Sequence, residues 1–216
     1  NWLPDDTLLK IATENNVSET AYFIKKEDHF YLRWFTPGIE MDLCGHATLA
    51  TAYCLRNHLN YKKDSVKFDS MSGELLVKFN ADYMQMDFPH RKPVKSYLPQ
   101  NILDSLSIKP IEILKSRDYI LIYDNEDQIK NIKIDKELFD KKNIDPGGVV
   151  ITSVGTQSDF VSRYFIPQCS FFEDPVTGST HCSLVPYWSE KLNKKKLKSI
   201  QLSERGGEMI CEDVLN

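Results

Sequence analysis

The spacing of hydrophobic and polar positions predicts short helices and strands in alternation along the first half of the chain. A first helix is expected to begin at a capping Asp5 or Asp6 and to end at Asn15-Asn16, since asparagine tolerates the left-handed conformation that ends helices. A second helix, over residues 45–59, is small or apolar on most sides before Arg56, so we expect strands to enclose it. Apolar runs predict strands at residues 21–24, 30–35, 66–68, 74–79 and 84–88, and a charged turn at residues 25–28 joins the first two as a hairpin.

The same reasoning predicts a mixture of strands and helices in the second half. Strands are expected at residues 111–114 and 119–123, and short helices at 100–106 and 136–141. A longer apolar helix is expected from Gly178 to about Leu192, although Pro186 inside it should bend or interrupt a turn.

One pattern occurs twice along the chain. Residues 30–37 and 160–167 both read F-x-x-R-(W/Y)-F-x-P, and each block precedes a glycine that opens an apolar segment ending in Leu-Asn. The offset of about 130 residues has the size of a domain, which indicates a duplicated unit and not a solenoid. Three prolines between residues 89 and 99 are typical of a linker, so we predict domains at 1–95 and 96–216.

Composition excludes several classes of function. The net charge of −4 gives no electrostatic reason to expect nucleic acid as a partner. No apolar run approaches the length of a membrane span, so no membrane association is expected. The five cysteines are odd in number and lack the regular spacing of a disulfide framework, which favours free thiols and a cytoplasmic protein.

Candidate chemistry lies beside the glycine of each repeat. The first copy offers Cys44 and His46, and the second offers Asp174, Thr177, Ser179 and His181. The start of a helix attracts anions, so two such glycine turns facing each other across a cleft could hold an anionic substrate. Simpler interpretations stay open: His46 as a helix cap, Cys44 as a buried small hydrophobe and Asp174 as a turn residue. Neither cysteine–histidine pair has zinc-ligand spacing, so no metal is expected.

Four motifs give the chain a resemblance to a known family. Residues 15–21 (N-N-V-S-E-T-A), 42–48 (D-L-C-G-H-A-T), 173–179 (E-D-P-V-T-G-S) and 205–208 (R-G-G-E) resemble the signature blocks of the PhzF-like phenazine-biosynthesis family. The resemblance covers nearly the whole chain, with the blocks in the same order. It implies the α+β, diaminopimelate-epimerase-like fold: two pseudo-symmetric domains, each a curved, barrel-like, mostly antiparallel sheet around a central helix, with the active site between them.

The resemblance also implies which residues act. The family's acid/base glutamate falls on Glu19, its histidine on His46, its aspartate on Asp174 and its motif serine on Ser179. Neighbouring residues of the same motifs are expected to contact the substrate: Cys44, Gly45, Ala47, Thr177, Gly178 and Thr180. The implied activity is a cofactor-independent isomerisation that moves a proton on a small carboxylate. For the oligomeric state, we consider a homodimer.

Two alternatives stay open at this point. Racemases of this fold use a cysteine before each glycine; Cys44 fits the first position, but Thr177 occupies the second, and a hydroxyl is too weak an acid for that role. A Cys44-based amino-acid racemase or epimerase is therefore one alternative. A catalytically idle relative that binds small molecules or another protein is the other.

The family pattern also differs at the ends of the two domains. Relatives usually begin with a strand before the W-L-P-D-D region and continue with further strands after R-G-G-E. We therefore expect the first domain to lack its N-terminal strand and the second to lack C-terminal strands. Chain breaks would then fall at junctions such as Asn80-Ala81 and Glu212-Asp213.

Overall fold

The computed structural model describes residues 1–144, 147–168 and 172–215. Residue contacts divide the chain into two compact units, Asn1–Pro89 and His90–Asn216. The division falls before the predicted one at residue 95, because Val94–Lys95 forms a strand that pairs inside the second unit. The stretch predicted as a linker is therefore partly regular structure.

The first unit combines two helices with a six-stranded sheet in the order β1-β2-β4-β5-β6, with β3 pairing β2. Its elements are α1 (Asp5–Asn15), β1 (Thr20–Lys25), β2 (Phe30–Phe35), β3 (Glu40–Met41), α2 (Gly45–Asn57), β4 (Ser65–Ser70), β5 (Gly73–Phe79) and β6 (Met84–Met86). Strand β2 matches its predicted bounds, and Asn16 ends α1 in the left-handed conformation, as predicted. The predicted capping role of Asp5 and Asp6 is wrong: Pro4 precedes the helix, and both carboxylates lie in its first turn.

The second unit carries an eight-stranded sheet among its described residues, in the order β14-β13-β11-β10-β9-β8-β7, with β12 pairing β11. Its elements are β7 (Val94–Lys95), α3 (Gln100–Ser105), β8 (Glu112–Lys115), β9 (Tyr119–Ile122), α4 (Glu126–Asn131), α5 (Lys136–Phe139), β10 (Val149–Val154), β11 (Phe160–Phe165), β12 (Glu173–Asp174), α6 (His181–Leu192), β13 (Lys196–Gln201) and β14 (Gly207–Glu212). Helix α4 was not predicted.

The two units repeat one topology. In each, a hairpin (β1-β2 or β10-β11) is joined by a parallel pairing to a second hairpin (β4-β5 or β13-β14). A short strand, β3 or β12, pairs beside the first hairpin and leads to the helix that follows. Most pairings are antiparallel, so the predicted α+β fold of duplicated, mostly antiparallel units is confirmed. Strand β1 is an edge strand, whereas its counterpart β10 also pairs with β9; the expected absence of terminal strands stays a prediction.

The arginine of the repeated pattern has the same structural role in both copies. Arg33 forms two hydrogen bonds to Glu40, of 2.6 and 2.7 Å, and Arg163 forms two of 2.7 Å each to Glu173. Two-pronged arginine–carboxylate pairs are geometrically specific and strong. Each pair therefore fixes the short strand that carries the chain from the sheet to the glycine turn.

The helices that follow the two turns differ in burial. Helix α6 is buried from His181 through Ser189, and its apolar side chains pack on one face of the second sheet. Helix α2 is buried on one side only, with Ala50, Tyr53 and Cys54 exposed, so the prediction that it is enclosed on most sides is wrong. Its small residues allow close packing on the buried side without requiring cover on the other.

The second sheet is covered on both faces. Leu121 faces the cluster formed with α3, α4 and α5, while Ile120 and Ile122 face α6. Alternation of side chains along a strand explains why β9 is apolar at every position. Within the described ranges, each helix is too short or too polar to serve as a membrane span.

Candidate active site

Three of the predicted residues meet in the first unit; we call Glu19, Cys44 and His46 the Glu19 cluster. Glu19 directly precedes β1, whose first residue, Thr20, pairs with Phe35 at the end of β2. The chain leaving β2 passes through β3 and reaches Cys44, which precedes α2. Because the beginning of β1 and the end of β2 lie at the same end of the sheet, the hairpin brings Glu19 to the start of α2.

The contacts within the Glu19 cluster are close. His46 Nε2 lies 2.9 Å from Glu19 Oε2, and the Cys44 sulfur lies 3.8 Å from either ring nitrogen of His46. Glu19 Oε2 is buried, and its contact with His46 is an ion pair when the imidazole is protonated. The Glu19 side chain is 12% exposed and that of His46 is 52% exposed, so the cluster is open to solvent on the histidine side.

The cluster favours a cationic histidine beside a neutral thiol. Contact with the Cys44 sulfur and then with the Glu19 carboxylate raises the pKa of His46 from its usual 6.5 to about 10. Burial raises the pKa of the Cys44 thiol. The surroundings of His46 thus favour its cationic form, while burial opposes ionisation of the thiol beside it.

The same three side chains are a candidate set of metal ligands. One ligand atom from each lies within 4.8 Å of the others. Thiolate, imidazole and carboxylate are all zinc ligands. A metal would have to displace the proton from His46 and ionise the buried Cys44, and both raised pKa values oppose this at neutral pH. A metal would therefore compete with protons for these donor atoms.

The remaining predicted residues lie in the second unit, in a segment over residues 174–180 that we call the Asp174 turn. The Thr177 hydroxyl donates to Asp174 Oδ2 at 2.5 Å, and the Thr180 hydroxyl donates to the Thr177 carbonyl at 2.8 Å. Thr177 and Thr180 are buried, whereas Asp174, Gly178 and Ser179 are half-buried.

The prediction that Gly178 begins the helix is wrong, because α6 begins at His181. The Thr177 carbonyl lies within hydrogen-bond distance of both the Thr180 hydroxyl and His181 Nδ1. The backbone N–H of His181 bonds instead to the Gly178 carbonyl at 3.0 Å, which makes a tighter turn before the helix. In the first unit, by contrast, α2 begins at Gly45 as predicted.

A buried glutamine that sequence reasoning missed holds the Asp174 turn. Gln201 Oε1 accepts a hydrogen bond from Thr177 N at 2.8 Å, and its Nε2 donates to the Asp174 carbonyl at 2.6 Å. The same Nε2 donates to the Thr177 hydroxyl at 3.2 Å. The amide and hydroxyl of Thr177 are thus bonded within the unit, and the turn has one fixed geometry.

The R-G-G-E block also supports this turn. The Ser203 hydroxyl donates to the Pro175 carbonyl at 2.6 Å and accepts from Gly206 N at 3.0 Å. A Cβ on Gly207 would lie 2.5 Å from a methyl of Val176. The glycine is therefore required for close packing of β14 against the Asp174 turn.

An arginine unnoticed in the sequence lies beside Ser179. Arg117 Nη2 donates to Ser179 Oγ at 3.4 Å, and Arg117 Nε donates to the buried Asp118 at 3.3 Å. A single sequence gives no signal for this contact, because 62 positions separate Arg117 from Ser179.

Comparison with known proteins identifies relatives of the whole chain. The sequence model described as "Phenazine biosynthesis-like protein" matches residues 3–212. An uncharacterized isomerase of Pseudomonas aeruginosa is 42% identical over 211 residues, which cover 98% of this chain and 81% of the relative.

Solved structures extend the comparison to the fold. A PhzF-family protein of Enterococcus faecalis has a TM-score of 0.88 at 40% identity and covers 100% of this chain and 83% of its own. A probable proline racemase of Agrobacterium radiobacter shares the fold at a TM-score of 0.62 and 9% identity, over 96% of this chain and 73% of its own. The four motifs, the duplicated topology and these matches together show that the chain belongs to the phenazine biosynthesis-like protein family.

Proposed function

We propose that the chain is a cofactor-independent isomerase in which Glu19 moves a proton on a small carboxylated substrate. The observation that carries the proposal is the 2.9 Å contact of the mostly buried Glu19 carboxylate with His46. Membership of a family that includes relatives named as isomerases supports this kind of reaction. Proton abstraction from carbon requires a positioned base beside a group that stabilises the developing negative charge.

The proposed reaction balances without a co-reactant. Glu19 accepts a proton from one substrate carbon, and the electrons of that C–H bond shift the neighbouring double bond. The carboxylic acid so formed then delivers the proton to a different carbon on the same face, which regenerates the carboxylate. Cationic His46 lies where it can stabilise the anion between these steps.

The other predicted residues are proposed to bind substrate or to shape the site. The beginning of α2 at Gly45 is proposed to bind a carboxylate, because helix N-termini attract anions. The Ala47 amide contacts the Cys44 sulfur, so we propose that Ala47 shapes this end of the site. Asp174 and Ser179, which are partly exposed, are proposed to contact the substrate together with Gly178. Because Thr177 and Thr180 are buried and bonded within their unit, we propose that they hold the turn in position.

The racemase alternative is less well supported. Burial of Cys44 and the raised pKa of its thiol disfavour the thiolate that two-base racemisation needs. Thr177, at the corresponding place in the second unit, donates its hydroxyl hydrogen to Asp174.

A screen in heavy water tests the proposal. Cyclic and unsaturated small carboxylates are incubated with the protein, and NMR measures deuterium incorporation at carbon. We expect at least one compound to exchange with the wild type and none with Glu19→Gln. Binding of these compounds without exchange would favour a binding protein, and exchange with inversion at an amino-acid α-carbon would favour a racemase.

A further inference from the structure

The turn between β8 and β9 is attached to the beginning of α6. Ser116 Oγ lies 2.6 Å from Ser183 Oγ, and Arg117 Nη2 donates to Ser179 Oγ at 3.4 Å. Strands β8 and β9 lie outside the duplicated topology, so the described part of the first unit has no counterpart of this turn. The second unit thus carries an additional support beside one of its proposed substrate-binding residues.

Buried acceptors hold the arginine in place. The Arg117 side chain is 10% exposed and that of Asp118 is 4% exposed. Asp118 Oδ1 accepts hydrogen bonds from Gly148 N and from the Tyr164 hydroxyl, both at 2.9 Å. Because the carboxylate is fixed by the strands around it, the guanidinium beside it has little freedom to turn.

We propose that Arg117 is a positioning residue that orients the Ser179 hydroxyl toward a substrate carboxylate. A guanidinium can only donate hydrogen bonds, so Ser179 Oγ is the acceptor in their contact. With a lone pair of Oγ engaged by Arg117, the hydroxyl hydrogen points away from the arginine and can donate to an anion. The positive charge of Arg117 also polarises the hydroxyl and strengthens that donation.

This inference rests on the proposed function, in which Ser179 contacts the substrate. It predicts that Arg117 acts through Ser179, so loss of the arginine matters only while the serine is present. A purely structural role would predict independent effects of the two residues.

Benzoate, a planar carboxylate, serves as the probe, and calorimetry measures its affinity. The variant is Arg117→Lys, which keeps a positive charge beside Asp118 and so favours folding. Lysine lacks the planar guanidinium with which Arg117 donates to Asp118 and Ser179 at once. We expect Arg117→Lys and Ser179→Ala each to weaken benzoate binding about tenfold, on the scale of one hydrogen bond. The double variant should bind no more weakly than Ser179→Ala alone.

Ser183→Ala provides a matched control, since it removes a hydrogen bond between the same turn and helix without touching Ser179. It should lower the urea midpoint and leave benzoate affinity within about twofold of the wild type. The proposal would be overturned if the double variant lost affinity for benzoate by the product of the two single losses. A loss of affinity in Ser183→Ala as large as in Arg117→Lys would also overturn it.

A second measurement separates this inference from the proposed function. If the wild type does not bind benzoate, the proposed carboxylate site fails, but urea unfolding still tests the contact between Arg117 and Ser179. Arg117→Lys should lower the urea midpoint less in the Ser179→Ala background than in the wild type. Equal shifts in both backgrounds would show that the contact is not made and would overturn the inference.

Discussion

At the scale of single residues, the charge of His46 is the property on which the proposed chemistry depends. The Cys44 sulfur and the Glu19 carboxylate raise its pKa to about 10. NMR titration of the ring should therefore give a pKa well above the usual 6.5 in the wild type, and a lower value in Glu19→Gln, which lacks the carboxylate charge. A wild-type titration at 6.5 or below would show that the ion pair with Glu19 does not form in solution.

A second histidine makes the stability of the second unit depend on pH. Burial lowers the pKa of His181 to about 4, and the ring has hydrogen-bond partners in Thr177 and Ser199. The unfolded chain, with a histidine pKa of about 6.5, binds more protons than the folded chain between these values. The contribution of His181 to the free energy of unfolding is therefore fully present above pH 6.5. It falls by up to about 3 kcal/mol as the pH decreases through 4.

Urea unfolding at several pH values measures this effect. Between pH 6.5 and 4, the free energy of unfolding should decrease more steeply in the wild type than in His181→Gln, which cannot gain a proton. Parallel curves for the two proteins would contradict a neutral, buried His181.

At the scale of elements, close packing of β14 against the Asp174 turn is the contact most sensitive to substitution. Gly207→Ala places a methyl 2.5 Å from Val176 Cγ2, and the stiff valine side chain has few ways to move aside. We expect a loss of about 1–3 kcal/mol in the free energy of unfolding and weaker carboxylate binding. Gly38→Ala is the control, because no atom of the described residues other than its chain neighbours lies within 4 Å of the place its methyl would take. Equal losses in both variants would contradict the packing explanation.

The elements also show why the sequence predicted some structure and not the rest. Strand β2 was predicted to the residue because a charged turn precedes this aromatic-rich run and Thr36-Pro37 follows it. The start of α6 was misplaced because side chains bond the Thr177 carbonyl, and apolar periodicity does not register such bonds. Helix α4 was missed because it is short and mostly polar, although Asn125 caps it by accepting from Gln128 N, and that cap could have been noticed.

At the scale of the whole molecule, the duplicated pattern predicted two units of one topology, and this is confirmed. The residues that hold the candidate site were less accessible to sequence reasoning. Gln201 contacts Asp174, 27 positions away, and Arg117 contacts Ser179, 62 positions away. No local sequence pattern encodes contacts over such separations. The repeated glycines pointed to the candidate residues beside them, such as His46 and Asp174, whereas Glu19 was identified through the resemblance. The catalytic and binding roles of all these residues stay proposals.

The most direct test of the central claim compares proton exchange in two single variants of the Glu19 cluster. With a carboxylate that exchanges in heavy water, Glu19→Gln should lose about two to four orders of magnitude in rate, on the scale of removing a general base. Cys44→Ala should retain most of the rate, because a buried thiol with a raised pKa is not the base. An inactive Cys44→Ala together with a nearly normal Glu19→Gln would contradict the account and identify the thiol as the acid/base group.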